Sequence, residues 1–108
     1  MYTIIVSPEA RADLTNYYDT IAEKNPTAAL KIFDAARQTF ADLARFPRSG
    51  SLSPYHPDPT QEIRRWAVKG FRKYLIFYRV STESIEIIRI LHGSQDLDRL
   101  FNPVPNQD

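Results

Sequence analysis

Lys69, Arg72, Arg89 and His92 are the side chains of this 108-residue chain best suited to chemistry, which would be proton transfer beside a phosphate group. Metal-free cleavage of a phosphodiester would need a base to activate the attacking hydroxyl, an acid to protonate the leaving oxygen, and cations to stabilise the phosphorane charge. His92 brings a switchable proton and the other three bring positive charge. Their spacing argues against a shared site. Arg89 and His92 stand three apart in an apolar run that reads as a strand, and a regular strand sends such residues to opposite faces. Beyond His92 there is neither tyrosine nor histidine, and residues 93–108 offer only Ser94, three acids and Arg99 to move protons or hold phosphate. A histidine closing a strand is also commonly a hydrogen-bonded structural group.

Metal chemistry has less to stand on. The chain has no cysteine and only two histidines, His56 and His92, whereas a metal in a protein usually needs three or four converging ligands. Neither a metal nor a cofactor is expected. The lack of cysteine also removes disulfides and thiol nucleophiles and permits a reducing compartment.

Charge points to binding. Between Ile63 and Thr82 there are six basic residues and no acidic one, a local excess hidden by a net charge of only +1. Such a cluster, flanking the sole tryptophan Trp66, suits an anionic partner, either nucleic acid or an acidic peptide. Arg64, Arg72 and Arg79, with Trp66, are the candidate contacts. The plain alternative is a solvated sheet face for the cations and core packing for the tryptophan.

The elements that must position these residues follow from periodicity. Tyr2 to Val6 reads as a strand, and Ser7-Pro8-Glu9 reads as a helix start, with a cap, a proline at the first helical position and an acid at the positive dipole end. Ala10, Leu14, Tyr17, Tyr18 and Ile21 lie on one helical face. Asn25-Pro26 breaks that helix, and Ala29, Ile32, Phe33, Ala36, Phe40 and Leu43 form the stripe of a second one, stopped by Pro47 and Gly50. Four prolines between Pro47 and Thr60 predict a loop. Three strands follow, from Ile63, Phe71 and Ile85, joined by turns short enough for antiparallel hairpins. The expected fold is therefore α+β: one small antiparallel sheet carrying an N-terminal helical hairpin, in the order β-α-α-β-β-β, with a short C-terminal helix capped by Asp96 or Asp98 and a flexible tail from about residue 102.

Both faces of that sheet look apolar. Leu75 and Phe77 oppose Tyr74, Ile76, Tyr78 and Val80 on one strand, and alternation on the next sets Ile85, Ile87 and Leu91 against Ile88 and Ile90. A helical hairpin covers one face only. The other needs either the segment from Leu97 to Val104 or another chain, since three bare side chains at roughly 1.5 to 3 kcal/mol each would rival a small domain's whole stability. Tyr74, Ile76, Tyr78, Ile88 and Ile90 are thus candidate partner contacts, with Tyr18 on the hairpin. The size allows one domain over 1–108, and the sequence opens without a signal peptide or membrane span, which makes the cytoplasm the default.

In order and spacing, these segments are similar to the RelE/ParE superfamily of toxins from bacterial type II toxin–antitoxin modules. The resemblance rests on Ser7 to Ala10, Ile21 to Pro26, Leu43 to Pro47 with Gly50, Tyr74 to Val80, and Ile88 to Gly93 with Asp96-Leu97. It implies a growth-inhibiting toxin of a plasmid-stabilisation-type module, neutralised by an antitoxin that folds around it into a hetero-oligomer. Two targets are implied by its two branches: DNA gyrase, blocked without catalysis, or messenger RNA cleaved on the ribosome. Arg89-Ile90-Leu91-His92-Gly93 looks more like the ParE branch, in which the C-terminal part is implicated in toxicity. An inert relative that only binds its antitoxin is the third reading.

Overall fold

The computed structural model describes residues 1–53, 62–95, 97 and 100. Two helices and five strands follow in the order β1 (Thr3–Val6), α1 (Pro8–Ala22), α2 (Pro26–Arg45), β2 (Ser51–Leu52), β3 (Ile63–Val68), β4 (Phe71–Val80) and β5 (Ser84–His92). Both helix starts are capped as their sequences require. The Ser7 hydroxyl accepts the Ala10 amide at 3.0 Å, and the Asn25 side chain accepts the Ala28 amide at 3.1 Å, each just before a proline.

The strands form one sheet in the spatial order β1-β5-β4-β3-β2. The three long strands pair antiparallel, as their short turns demand. The sheet is nonetheless mixed, because β1 runs parallel to β5 with Thr3 opposite Ser84 and Val6 opposite Ile87. The chain between them, the helical hairpin followed by β2, β3 and β4, supplies the long connection that a parallel pairing needs. The expected loop after Pro47 contains one further short strand, β2, which pairs antiparallel with β3.

One face packs on the helices. Ala10 and Leu14 of α1, Ala36, Phe40, Leu43 and Ala44 of α2, and Val68, Ile76, Tyr78, Ile85, Ile87 and Ile90 of the sheet form this core. Burying each large aliphatic side chain there contributes about 1.5 to 3 kcal/mol. The alternation read along β4 is correct, but along β5 it fails past Ile87. Phe77 opposes Arg89 while Tyr78 opposes Ile87, so Ile88 is an extra residue, a bulge that shifts every later side chain by one position. Ile90 therefore joins Ile85 and Ile87 under the helices, and Leu91 joins Ile88 on the other face.

That other face is closed from within. Ile63, Phe77 and Leu91 are buried against Leu97, itself only 8% exposed, with Leu75 and Ile88 packed at the margin. Of the two coverings that the sequence left open, the chain's own C-terminal segment takes this one. Leu97 and Leu100 have helical backbone; Asp96, Asp98 and the tail from 101 lie outside the described residues.

Candidate functional site

The seam between α1 and β5 holds two of the candidate catalytic groups. β1 covers the outer edge of β5 only as far as Ile87, where the Ser7 amide donates to the Ile87 carbonyl at 2.9 Å and the Ser7 hydroxyl to the Ile88 carbonyl at 2.7 Å. Beyond that point the backbone of β5 would be a bare edge. Side chains of α1 take over. The Asp13 carboxylate accepts the Ile90 amide at 2.9 Å, and the Tyr17 hydroxyl accepts the His92 amide at 3.0 Å. The match is geometric: four residues of helix advance about 6 Å and two residues of strand about 6.7 Å, so residues 13 and 17 meet residues 90 and 92.

Arg89 is bound into this seam. Its guanidinium donates to both oxygens of Asp13, from Nε at 2.8 Å and from a terminal nitrogen at 2.9 Å. These hydrogen bonds hold the Arg89 pKa above its ordinary value, against a smaller opposing effect of burial. His92 is engaged too. Its Nδ1 lies 2.6 Å from the Ser94 hydroxyl and accepts the Ser94 amide at 3.0 Å, which leaves the proton of the neutral ring on Nε2. The ring packs edge-on to Tyr74, which packs edge-on to Tyr17. The Tyr17 hydroxyl donates to the Gln95 side chain at 2.7 Å, and burial raises its pKa above the usual value.

Arg89 and His92 stay on opposite faces of β5, as their spacing predicts, since Arg89 opposes Phe77 and His92 opposes Tyr74. Both meet α1 at the free edge of the strand, Arg89 through its guanidinium and His92 through its backbone amide. Lys69 and Arg72 sit elsewhere, at the β3–β4 turn and its exit, and among the described residues no hydrogen bond or ion pair joins them to Arg89 or His92. The described residues contain no cluster of three metal-ligating side chains.

The candidate contact residues divide by exposure. Ile76, Tyr78 and Ile90 are fully buried under the helices, so they have no surface to offer a partner; the expectation that they do is corrected by the packing of α1 and α2 on that face. Arg64 donates to the Gly50 carbonyl at 2.7 Å and lies 3.8 Å from Glu62, and Arg79 pairs with Glu86 across β4 and β5. Neither is a bare cation. Tyr18, Tyr74 and Ile88 are half-buried, while Trp66 and Arg72 are exposed. Tyr18 belongs to a feature that the sequence hid, a groove of about 270 Å³ between α1 and α2 lined by Thr15, Tyr18, Leu30 and Phe33. Leu30, 53% exposed on the outer side of the α2 stripe, is its least covered apolar wall.

Comparison with known proteins decides the family. The family described as ParE toxin of type II toxin-antitoxin system, parDE, matches residues 4–97. The chain belongs to the ParE toxin family. A ParE-type toxin has an antitoxin as its partner, and this membership selects the ParE side of the resemblance. The fold agrees with a solved structure titled chromosomal ParDE TA system from P. aeruginosa, at 22% identity and a TM-score of 0.68, covering 85% of this chain and 96% of that one. No curated protein matches the chain. Among the described residues of this ParE toxin, no helix is long and apolar enough to cross a membrane.

Asp13, Tyr17, Gln95 and Leu30 were not singled out as site residues by sequence reasoning, apart from Tyr17's place on the apolar stripe. The four-residue spacing of Asp13 and Tyr17 was the one available signal, and it means nothing until the strand beside them is known.

Proposed function

We propose that this toxin arrests growth by poisoning DNA gyrase, without cutting RNA, and that a cognate antitoxin silences it by laying an amphipathic segment into the α1–α2 groove. The observation that carries the choice of target is the Asp13–Arg89 pair. A cation meant for a phosphorane must be free to meet it, and this one is paired bidentately with a carboxylate that also accepts the Ile90 amide. His92, the nearest proton carrier, has its Nδ1 occupied by Ser94. Blocking an enzyme by binding requires neither group.

The groove supports the antitoxin reading. Its walls are mainly apolar, from Tyr18, Leu30 and Phe33, and an amphipathic helix fits such a surface through side chains three and four apart. Folding on binding would let the antitoxin segment cover this groove as it orders, and the complex is proposed to form in the cytoplasm.

The test is a pair of assays on the purified toxin. Gyrase supercoiling should stop and gyrase-linked DNA breaks accumulate, while translated messenger RNA stays intact. Cleavage of ribosome-bound message with normal supercoiling would transfer the assignment to the ribonuclease reading. Continued growth of cells making soluble, folded toxin without antitoxin would remove both and leave an antitoxin-binding relative.

A further inference from the structure

The tip of the β3–β4 hairpin carries charge that nothing else in the molecule explains. Of the six basic residues between Ile63 and Thr82, Arg64 and Arg79 are paired within the chain, which leaves Arg65, Lys69, Arg72 and Lys73 without an ion pair among the described residues. Three of these, Lys69, Arg72 and Lys73, are exposed and fall within five residues around the turn. Like charges so close repel one another, and neutralisation by a polyanion relieves that repulsion.

The tip is also held in place. The Lys69 amide donates to the Thr39 hydroxyl of α2 at 3.0 Å, and Thr39, buried, donates in turn to the Ala35 carbonyl at 2.7 Å. Val68 and Phe71, either side of the turn, pack into the helix-side core. Gly70 adopts a φ of 82°, and the place where a Cβ would stand has no atom within 4 Å. Register adds one more feature: Ala67 opposes Leu75 but Val68 opposes Phe71, so Arg72 to Tyr74 have no partner on β3, while on the other side Tyr74 pairs with His92 and the Lys73 carbonyl accepts the Gly93 amide at 2.7 Å. The result is an exposed hairpin turn, anchored on α2, with three cations within five residues and Trp66, 43% exposed, behind it on β3.

We propose that this turn is a contact element for duplex DNA. An exposed turn that presents three cations within five residues matches the rows of phosphates that flank a DNA groove. An acidic peptide would need a cleft or a free strand edge to lie along, and the tip is neither. The contact is one of phosphates, so it predicts affinity without sequence preference.

The experiment uses the full-length toxin and a fluorescein-labelled 30-base-pair duplex of mixed sequence, titrated at several salt concentrations. Three phosphate contacts give a slope of log K against log salt near −2.7, about 0.9 per contact, and hence roughly a 40-fold loss between 50 and 200 mM salt. The combined variant K69A/R72A/K73A should abolish most of that slope, whereas K24A, which removes one exposed cation from the α1–α2 turn, should leave it intact. Trp66 fluorescence should change on adding duplex to the parent protein. The charge-conserving K69R/R72K/K73R separates loss of charge from loss of fold, and should bind as the parent does. Equal slopes for the parent and the combined alanine variant would overturn the inference, as would an acidic polyglutamate peptide binding the tip as tightly as duplex does at equal salt. A toxin that blocks supercoiling yet ignores duplex overturns it too, and leaves the gyrase reading untouched.

Discussion

Replacing Asp13 by alanine should be among the most damaging single substitutions on the surface of this protein, because one carboxylate serves three donors. Asp13 accepts both Arg89 nitrogens and the Ile90 amide, and its side chain is only 12% exposed, against 26% for Arg89. A fully exposed ion pair contributes about 0 to 1 kcal/mol, and breaking a fully buried one costs about 3 to 5 kcal/mol. This pair lies between the two. The Ile90 amide adds its own loss, about 1 kcal/mol where water reaches it poorly. The sum is about 2 to 4 kcal/mol, or roughly 10 to 20 °C in melting temperature for a domain of this size. Urea unfolding of the free toxin, followed by circular dichroism, measures it. Arg89→Ala should cost less, about 1 to 2 kcal/mol, since Asp13 then keeps the Ile90 amide. The double variant should fall short of the sum of the two singles by about 1 kcal/mol or more. A loss below about 0.5 kcal/mol for D13A would refute the reasoning and reduce the seam to an ordinary surface ion pair.

Three further outcomes follow from the geometry. Burial raises the hydroxyl pKa of Tyr78 above its ordinary value near 10. The folded state thus holds that proton more tightly than the unfolded one, so its contribution is complete below about pH 10 and is lost as pH rises through the folded value. Tyr78→Phe should flatten that alkaline decline in urea midpoints between about pH 9 and 11. At neutral pH it should cost about 1 to 3 kcal/mol, because the Gly50 amide and Pro47 carbonyl lose their partner; identical alkaline slopes would refute it. Gly50→Ala would set a methyl 2.6 Å from both the Arg65 carbonyl and the Tyr78 hydroxyl, so a loss of about 1 to 3 kcal/mol in thermal unfolding is expected. Leu30→Asp, at an exposed groove position, should leave the melting temperature of the free toxin within about 3 °C while weakening antitoxin binding at least about tenfold in calorimetry. Unchanged affinity would move the antitoxin off the groove.

The parts legible in the sequence were those whose signals are local. Ser7-Pro8 and Asn25-Pro26 announce helices with their own caps, and the stripe from Ala29 to Leu43 is long enough to leave little choice of face. Lys69-Gly70 announces a hairpin because Gly70 must take a positive φ. What escaped depended on distant partners. β2 is two residues long and has no pattern of its own; it exists because β3 offers it an edge. The parallel pairing of β1 needs β5, some eighty positions away, before it has meaning. Strict alternation also misplaced Ile90 and Leu91, since a single added residue at Ile88 reverses the rest of the strand. For the site, the sequence located the cations but could not tell employed from idle ones. Arg64 and Arg89 look alike with Lys69 and Arg72 until Gly50 and Asp13 are seen beside the first two.

The parallel pairing of the first strand with the last also orders events during synthesis. As the chain leaves the ribosome, β1 and α1 emerge early, yet the strand they must grip, from Ser84 to His92, comes almost at the end. A helical hairpin can form meanwhile, but the sheet cannot close until β5 has been made. An interrupted message therefore yields a fragment with no finished sheet: truncations ending before Ile85 should be digested rapidly by protease where the whole chain resists. A cell that aborts translation of this poison part-way is left with no partial dose.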